Sequence, residues 1–339
     1  MKVFDRWARL VEEAPAERAH AGFVGELRAL GLLGGEDGGE AFLRIMTQLA
    51  VQHCLRSEAA ALAATPPGAP RPAGLSFVAV DACVRLMVCL VTQHGGGPAL
   101  FSRVLGLLAT TLQRDAEERG GSFNGRPYFR MVCGFIAELA PGEAAGGGGD
   151  EGGMQYLLAV AAFLHATRAL RVPAFAFPWL QLVADRRLMP KLLGAPASRG
   201  WAAYLQLILA QLRFLEPFLR NAELTDAVRL LYKGTLRVLL VLLHDFPDFL
   251  CHFHFHLCDA IPPSCIQVCV WGGRGRWERG RVVSCRRCKC IWGVLVLTVL
   301  SPAVPPSTPP PAPPPAPSDA QPGAVCVPAR DAPPRPLHP

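Results

Sequence analysis

Apolar side chains recur at every third or fourth position over most of the chain before its proline-rich end, most densely between Val228 and Leu243. Within that stretch Leu231, Val238 and Leu242 fall on one helical face, and further leucines cover most of the remaining surface. A helix that is apolar nearly all round is a buried helix, so this segment is predicted to be central to the fold.

The two ends of this central helix are marked by specific residues. Thr225 and Asp226 supply an N-cap and a negative charge in the first turn. Pro247 cannot lie in a helix interior and disfavours helical backbone in the residue before it, so the helix is predicted to end near Asp245. A second, short helix over about residues 248–257 then leads into a Pro-Pro pair.

Helix-length amphipathic segments separated by Gly- and Pro-rich breaks fill the rest of the first 267 residues. No strand-like alternation competes with them, so the sequence predicts an all-α, HEAT-like α-solenoid of stacked antiparallel helices. No fixed repeat period is visible, and the periodicity alone gives only the all-α class. Loops are expected at 65–74 and 94–98, and a flexible surface loop at 142–153. The helices are expected near the chain start (Phe4, Trp7, Leu10 and Val11 on one face), and over 17–31 (Phe23, Val24, Leu27, Leu30), 40–60 (Phe42, Ile45, Met46, Leu49, Ala50), 77–91, 100–112, from Pro127 to Leu139, and over 156–170, 175–183 and 201–219.

The positive charge of the chain is concentrated at its C-terminal end. The whole chain has 34 Lys and Arg against 27 Asp and Glu, a net charge of +7. Residues 268–339 hold nine of the basic groups and three of the acidic ones, which leaves 25 against 24 in residues 1–267. The folded part is therefore nearly neutral, and no strong electrostatic attraction to nucleic acid is expected from it.

Cysteine usage and hydropathy place the protein among soluble proteins of a reducing compartment. The twelve cysteines show no disulfide-framework spacing, and no secretory signal opens the chain. No apolar run reaches the 18 or more residues that a bilayer crossing requires, and the late run Ile291–Leu300 is too short.

A run of histidine and cysteine at 251–258, CHFHFHLC, raises the alternative of a zinc module or metal-dependent enzyme. On a helix, however, His252 and His256 share a face while His254 points elsewhere, and the intervening phenylalanines would have to be exposed. A second candidate, CRRCKC at 285–290, has one CxxC without a partner pair. No metal, cofactor or catalytic residue is therefore assigned, and the partner-binding residues are unknown at this stage.

Two features of the last 72 residues invite other interpretations. The segment GGRGRWERG at 272–280 superficially suits RNA, but without a surrounding fold it reads as a disordered basic segment. Residues 301–339 contain sixteen prolines in 39 positions and many PxxP matches, which SH3-type domains bind as polyproline helices. The whole of 268–339 is predicted to be a disordered Gly/Arg/Pro-rich tail.

Several segments resemble one known family. RNAELT (220–225), LLYKGTLRVLLVLLHDFPDFLC (230–251) and CDAIPPSCIQ (258–267) closely resemble the C-terminal homology domain of the scaffold subunit of the CCR-NOT (also written CCR4-NOT) deadenylase complex. The resemblance extends over most of residues 1–267. Further matches are FNGRPYFR (123–130), RVPAFAFPWLQLV (171–183) and MPKLLG (189–194), with weaker ones in VFDRWARL (3–10) and AGFVGELRALGLL (21–33).

The resemblance implies a non-catalytic scaffold that docks NOT-box subunits and repressor peptides in mRNA deadenylation, translational repression and decay, in cytoplasmic P-bodies and the nucleus. It divides the chain into a helical connector with the first repeats (1–122), the first part of the homology domain (123–267) and the tail (268–339).

The likeness to the family stops after Gln267, where the family continues into further helices and a second half of the domain. This switch resembles translation past an exon boundary into an intron. The expectation is a truncated domain with weakened partner binding, and with an uncovered apolar face around Val238, Leu242 and Phe249.

Overall fold

Helices make up nearly all of the part of the chain that the structure describes. The computed structural model describes residues 2–13, 17–33, 36–64, 76–93, 96–139, 151–195, 198–221 and 224–261, and these ranges contain no strand. Twelve α-helices lie in them, with two 3₁₀ turns at Gly120–Ser122 and Pro173–Phe175. The helices are α1 Lys2–Glu13, α2 Glu17–Ala29, α3 Glu36–Ala63, α4 Val78–Thr92, α5 Gly97–Arg119, α6 Arg126–Leu139, α7 Glu151–Ala166, α8 Ala176–Val183, α9 Met189–Leu193, α10 Trp201–Arg220, α11 Asp226–Asp245 and α12 Pro247–Asp259.

From α3 onwards the helices stack in two layers. In one layer α4 packs on α6, α6 on α8, and α8 on α11. In the other layer α5 packs on α7, α7 on α10, and α10 on α12. Contacts between α4 and α5, α6 and α7, and α10 and α11 join the layers. Such nearest-neighbour stacking of helix pairs is typical of an α-solenoid, which confirms the fold predicted from the sequence.

Helix α11 has the boundaries that its sequence predicts. The Thr225 hydroxyl accepts a hydrogen bond from the amide of Val228 at 3.4 Å, as an N-cap does. The helix ends at Asp245, two residues before Pro247, and α12 starts at that proline.

The prediction that α11 is buried nearly all round is wrong. Its buried face carries Leu231, Thr235, Leu236, Val238, Leu239 and Leu242. Three large apolar residues, Leu230, Leu240 and Val241, are instead exposed. Neighbouring helices cover only the buried face, so the excess of leucine and valine on this helix remains at the surface.

The expected uncovered face around Val238, Leu242 and Phe249 is also wrong, because all three side chains are buried. Helices α8, α10 and α12 pack against α11, and the ring of Phe249 lies against the rings of Trp201 and Tyr204 at centroid distances of 5.7 and 5.9 Å. The helices already within this chain therefore cover that face.

Three smaller expectations need correction. Leu30 and Ile45 were expected on inward faces and are exposed; Leu30 follows the last residue of α2. The loop expected at 142–153 is shorter than predicted, because α7 already begins at Glu151. The remainder of that loop, and the tail 268–339, lie outside the described residues.

Three aromatic side chains, two of them buried and one partly buried, donate hydrogen bonds to the C-terminal ends of helices. The indole N–H of Trp179 donates to the carbonyl of Leu164 at 2.7 Å, in the last turn of α7. The hydroxyl of Tyr204 likewise donates to Val183 at the end of α8. Trp201 donates to the final carbonyl of α9 at 2.8 Å. The last four carbonyls of a helix lack intrahelical partners, so these bonds satisfy groups that burial would otherwise leave unpaired.

One buried polar pair links α10 to α11. The side-chain amide of Gln211 donates to the hydroxyl of Thr235 at 2.9 Å, and that hydroxyl donates to the carbonyl of Leu231. Both side chains are almost completely buried. The pair fixes the angular position of α11, because a buried amide without a partner carries a desolvation cost.

Substituting Thr235 by Val should therefore lower the free energy of unfolding by about 1–3 kcal/mol, because it strands the amide of Gln211 without changing the volume. Chemical denaturation of both single variants and of the double variant with Gln211→Leu tests this. The double variant should be less destabilised than the sum of the two single variants, since it leaves no unpaired donor. Simple additivity would show that the two side chains do not interact.

Candidate protein-interaction surface

The histidine and cysteine residues at 251–258 diverge in the structure instead of converging. The ring of His252 lies against those of Trp201 and Phe253, at 5.7 and 4.5 Å between centroids. The ring Nδ1 of His254 donates to the carbonyl of Cys251 at 2.8 Å, one turn earlier. The helix is kinked at Phe253, whose φ and ψ are −108° and 16°. The backbone therefore turns these ligands in different directions.

The zinc alternative consequently has no support from the described residues. No group of three or more His, Cys, Asp or Glu side chains in them is arranged to hold a metal ion. The other candidate at 285–290 lies outside the described residues, as do the arginine-rich segment 272–280 and the proline-rich stretch 301–339.

We expect the purified full chain to contain zinc well below one equivalent, because tetrahedral zinc needs four converging ligands. Elemental analysis by mass spectrometry measures this directly. A stoichiometric zinc content that disappears on substituting His252 and His256 by Ala would contradict the geometry described above. Substituting His20 by Ala, far along the chain, is the matched control.

Of the cysteines that the structure describes, Cys54, Cys83 and Cys89 are buried, and Cys133, Cys251 and Cys258 are partly buried. Burial raises the pKa of the Cys83 thiol to about 12, and the pKa values of Cys54 and Cys133 to about 11. The pKa of Cys258 is also raised, by burial and then by the nearby Asp259 carboxylate. A thiol must lose its proton to act as a nucleophile, so these groups are poorly suited to that role at neutral pH.

A concave surface of the described residues lies between α8 and α11, and we call it the α8–α11 groove. Its volume is about 560 Å³, and Phe177 and Leu180 of α8 form one wall. The other wall is formed by α11, with Leu230, Gly234 and Val241 among its residues. Met189 and Pro190 of α9 also line the groove.

Two stripes on α11, offset by one residue, explain this groove. Positions 231, 235, 238 and 242 form the buried stripe, and positions 230, 234, 237 and 241 follow the same spacing one residue earlier. The two helices approach each other closely at Gly234, since a Cβ placed there would lie 2.9 Å from the Cδ2 atom of Leu180. The absence of a side chain at 234 permits this approach.

The groove is apolar inside and basic at its edges. Phe177, Leu230 and Val241 are 41%, 61% and 41% exposed. The charged side chains lining the groove are Arg186, Lys233, Arg237 and Asp245. Three cations thus face a single carboxylate, and that carboxylate already lies 2.6 Å from Nδ1 of His244.

The sequence analysis assigned no partner-binding residues and missed this groove. One signal was present, namely that α11 carries more apolar residues than a single buried face needs. The opposite wall comes from α8, about fifty residues earlier, and nothing in the sequence pattern shows that α8 packs there.

The fold and this surface define a class of protein: an α-helical repeat protein with an apolar groove among its described residues. None of the described helices combines the length and apolarity needed to cross a bilayer.

Comparison with known proteins finds similarity to one family. Residues 150–269 match the model of the family described as "CCR4-Not complex component, Not1". The chain is 36% identical over 204 residues to the CCR4-NOT transcription complex subunit let-711 of Caenorhabditis elegans, covering 57% of this chain and 8% of that protein. It is 26% identical over 281 residues to general negative regulator of transcription subunit 1 of Saccharomyces cerevisiae, covering 78% of this chain and 13% of that protein.

Solved structures agree with this assignment. The NOT1 superfamily homology domain from Chaetomium thermophilum matches with a TM-score of 0.67 and 29% identity, over 77% of this chain and 49% of that one. A Not1 C-terminal domain, solved in complex with Not4, shares the fold with a TM-score of 0.61 at 24% identity, over 77% of this chain and 51% of that one. Residues 150–269 thus match the Not1 family model, and the chain is similar to part of the C-terminal region of Not1 proteins, which confirms the resemblance found in the sequence.

Proposed function

We propose that this chain is a non-catalytic scaffold segment of the CCR4-NOT complex, which docks NOT-box subunits and repressor peptides in mRNA deadenylation, translational repression and mRNA decay. The observation that carries the proposal is the Not1 family match over residues 150–269, whose described part comprises α7 to α12. A related Not1 C-terminal domain has been solved in complex with Not4, which shows that this fold can dock another protein.

The proposed organisation and location follow from the same resemblance. Residues 1–122 form a helical connector with the first repeats, 123–267 the first part of the homology domain, and 268–339 a tail. The protein is not an enzyme, and it acts in the cytoplasm, including P-bodies, and in the nucleus. Because the chain spans only 8% and 13% of the two curated relatives described above, the activities of the whole subunit reach it only through this proposal.

Affinity purification of the tagged full chain from cells, followed by mass spectrometry, tests the scaffold function. We expect other CCR4-NOT subunits to be enriched over an untagged control. The matched control is a Leu239→Asp chain, in which a charge is buried and the fold is lost. Recovery of chaperones alone, equally with both chains, would overturn the proposal.

A second measurement separates direct docking from indirect recovery. Purified NOT-box subunits should be retained by the immobilised full chain and not by the Leu239→Asp chain. Absence of retention while the wild-type chain is folded, as judged by circular dichroism, would show that residues 1–339 do not contain a sufficient docking surface.

A further inference from the structure

The α8–α11 groove lies along α11 beside the stripe that packs into the core, and Leu231 and Val238 of that stripe also line it. Thr235, in the buried stripe, bonds to Gln211 of α10, which fixes the direction in which the second layer lies. The groove stripe, containing Leu230 and Val241, is directed elsewhere and remains exposed. Stacking of one helix pair on the next therefore leaves this groove open.

Apolar exposure in the groove is clustered rather than scattered. Phe177, Leu230 and Val241 all line the same concavity, and Leu180 lies between the helices beneath them. Isolated exposed apolar residues need no explanation, but a concave cluster of them marks an interaction site.

The dimensions of the groove suit a short helical segment. On α11 the stripe extends from position 230 to position 241, a length of roughly 16 Å or three helical turns. A volume of about 560 Å³ accommodates several apolar side chains. An amphipathic helix inserts such side chains at three- and four-residue spacing.

Charge selects the kind of segment that fits. Arg186, Lys233 and Arg237 are exposed, and none of them makes an ion pair with a carboxylate in the described ranges. Lys233 and Arg237 are four residues apart and so lie along the same side of α11. Carboxylates on a bound segment would complement these cations, whereas a basic segment would be repelled.

We propose that the α8–α11 groove binds an acidic amphipathic helical segment of a partner protein. Its apolar side chains enter between Phe177, Leu230 and Val241, and its carboxylates lie against Arg186, Lys233 and Arg237. This inference rests on the proposed scaffold function and names the chemistry of one docking site within it. The apolar run 291–300 of this chain is a poorer occupant, because basic residues immediately precede it.

The probe is a displayed library of random peptides of about 16 residues, long enough to span the groove as a helix. It is selected on the full chain and counter-selected on a chain carrying Val241→Glu. We expect the selected peptides to share apolar residues at helical spacing and an excess of Asp and Glu. The affinity of the consensus peptide is then measured by fluorescence anisotropy.

Groove variants give the expected pattern of affinities. Leu230→Glu and Val241→Glu should each lower the affinity of the chain for the consensus peptide at least about tenfold, as substitutions at the centre of an interface do. The double variant Lys233→Glu, Arg237→Glu should lower this affinity by a similar factor. Added salt should lower the affinity of the wild-type chain for the peptide. The matched control is Leu240→Glu, an exposed leucine on the same helix that does not line the groove and should leave affinity unchanged. Unchanged thermal midpoints confirm that the variants remain folded.

Four results would overturn the inference. The first is a selection that enriches no peptide on the wild-type chain over the Val241→Glu chain, and the second is a set of selected peptides that are neutral or basic. A concentration-dependent dimer that Val241→Glu dissociates would assign the groove to a second copy. A tenfold gain in peptide affinity on substituting Leu295 and Leu297 by Glu would assign it to the tail. If any of these results occurs while the chain still captures NOT-box subunits, the groove proposal fails and the scaffold function is unaffected. If the chain binds the peptide normally but does not capture NOT-box subunits, the scaffold function fails and the groove proposal is unaffected.

Discussion

Substituting Leu239 by Asp should lower the free energy of unfolding by about 4 kcal/mol or more. The side chain of Leu239 is only 4% exposed, on the stripe of α11 that packs into the core. The substitution removes buried apolar contacts and introduces a carboxylate with no cation beside it. Burying an unpaired charge is among the few mechanisms that produce effects of this size. Urea denaturation followed by circular dichroism measures the change.

The matched control is Leu230→Asp, nine residues earlier on the same helix. Leu230 is largely exposed, so the same chemical change should cost less than about 1 kcal/mol, mostly through lower helix propensity. Leu236 is buried and should behave like Leu239, whereas the exposed Leu240 should behave like the control. A benign Leu239→Asp variant would mean that α11 is not packed into the stack.

The boundaries of α11 could be predicted because the signals that set them are local. A cap at Thr225 and a proline at position 247 act on the backbone within a few residues, whatever the rest of the fold does. The same holds for α6, where Pro127 lies in the first turn. The ends of helices that carry such local signals therefore follow from the sequence.

Side-chain burial was predicted less well because it depends on distant neighbours. Ile45 has the spacing of an inward residue, but the described structure leaves it exposed. On α11 the apolar pattern is continuous, and only the placement of α8, α10 and α12 decides which stripe is covered. The groove forms where no neighbouring helix covers α11, so it could not be located before the packing of the helices was known.

The histidine-rich segment illustrates the difference between composition and geometry. Three histidines and two cysteines in eight residues have the composition of a zinc site. In the structure the ring of His254 is engaged with the carbonyl of Cys251, and that of His252 packs on Trp201. These side chains therefore contribute to packing around the end of the stack.

Substituting Trp179 by Ala should lower the free energy of unfolding by about 4 kcal/mol, within the usual range of 3–5 for buried aromatic residues. Trp179 is fully buried in α8, and its indole N–H caps the last turn of α7. The substitution leaves a cavity where α8 meets its neighbours and strands the carbonyl of Leu164. Thermal and urea denaturation measure the loss.

Two further substitutions separate the roles of the Trp179 ring and its N–H group. Trp179→Phe keeps much of the ring volume but loses the hydrogen-bond donor. Its free energy of unfolding should be about 1–3 kcal/mol below that of the wild-type chain, because the carbonyl of Leu164 loses its partner, and this loss should be smaller than that of Trp179→Ala. Phe177→Ala, two residues earlier on the same helix, removes a partly exposed ring that lines the groove. It should lower the free energy of unfolding by at least about 2 kcal/mol less than Trp179→Ala does. Equal losses for Phe177→Ala and Trp179→Ala would show that α8 does not pack with Trp179 inward, and the wall of the groove would then be placed wrongly.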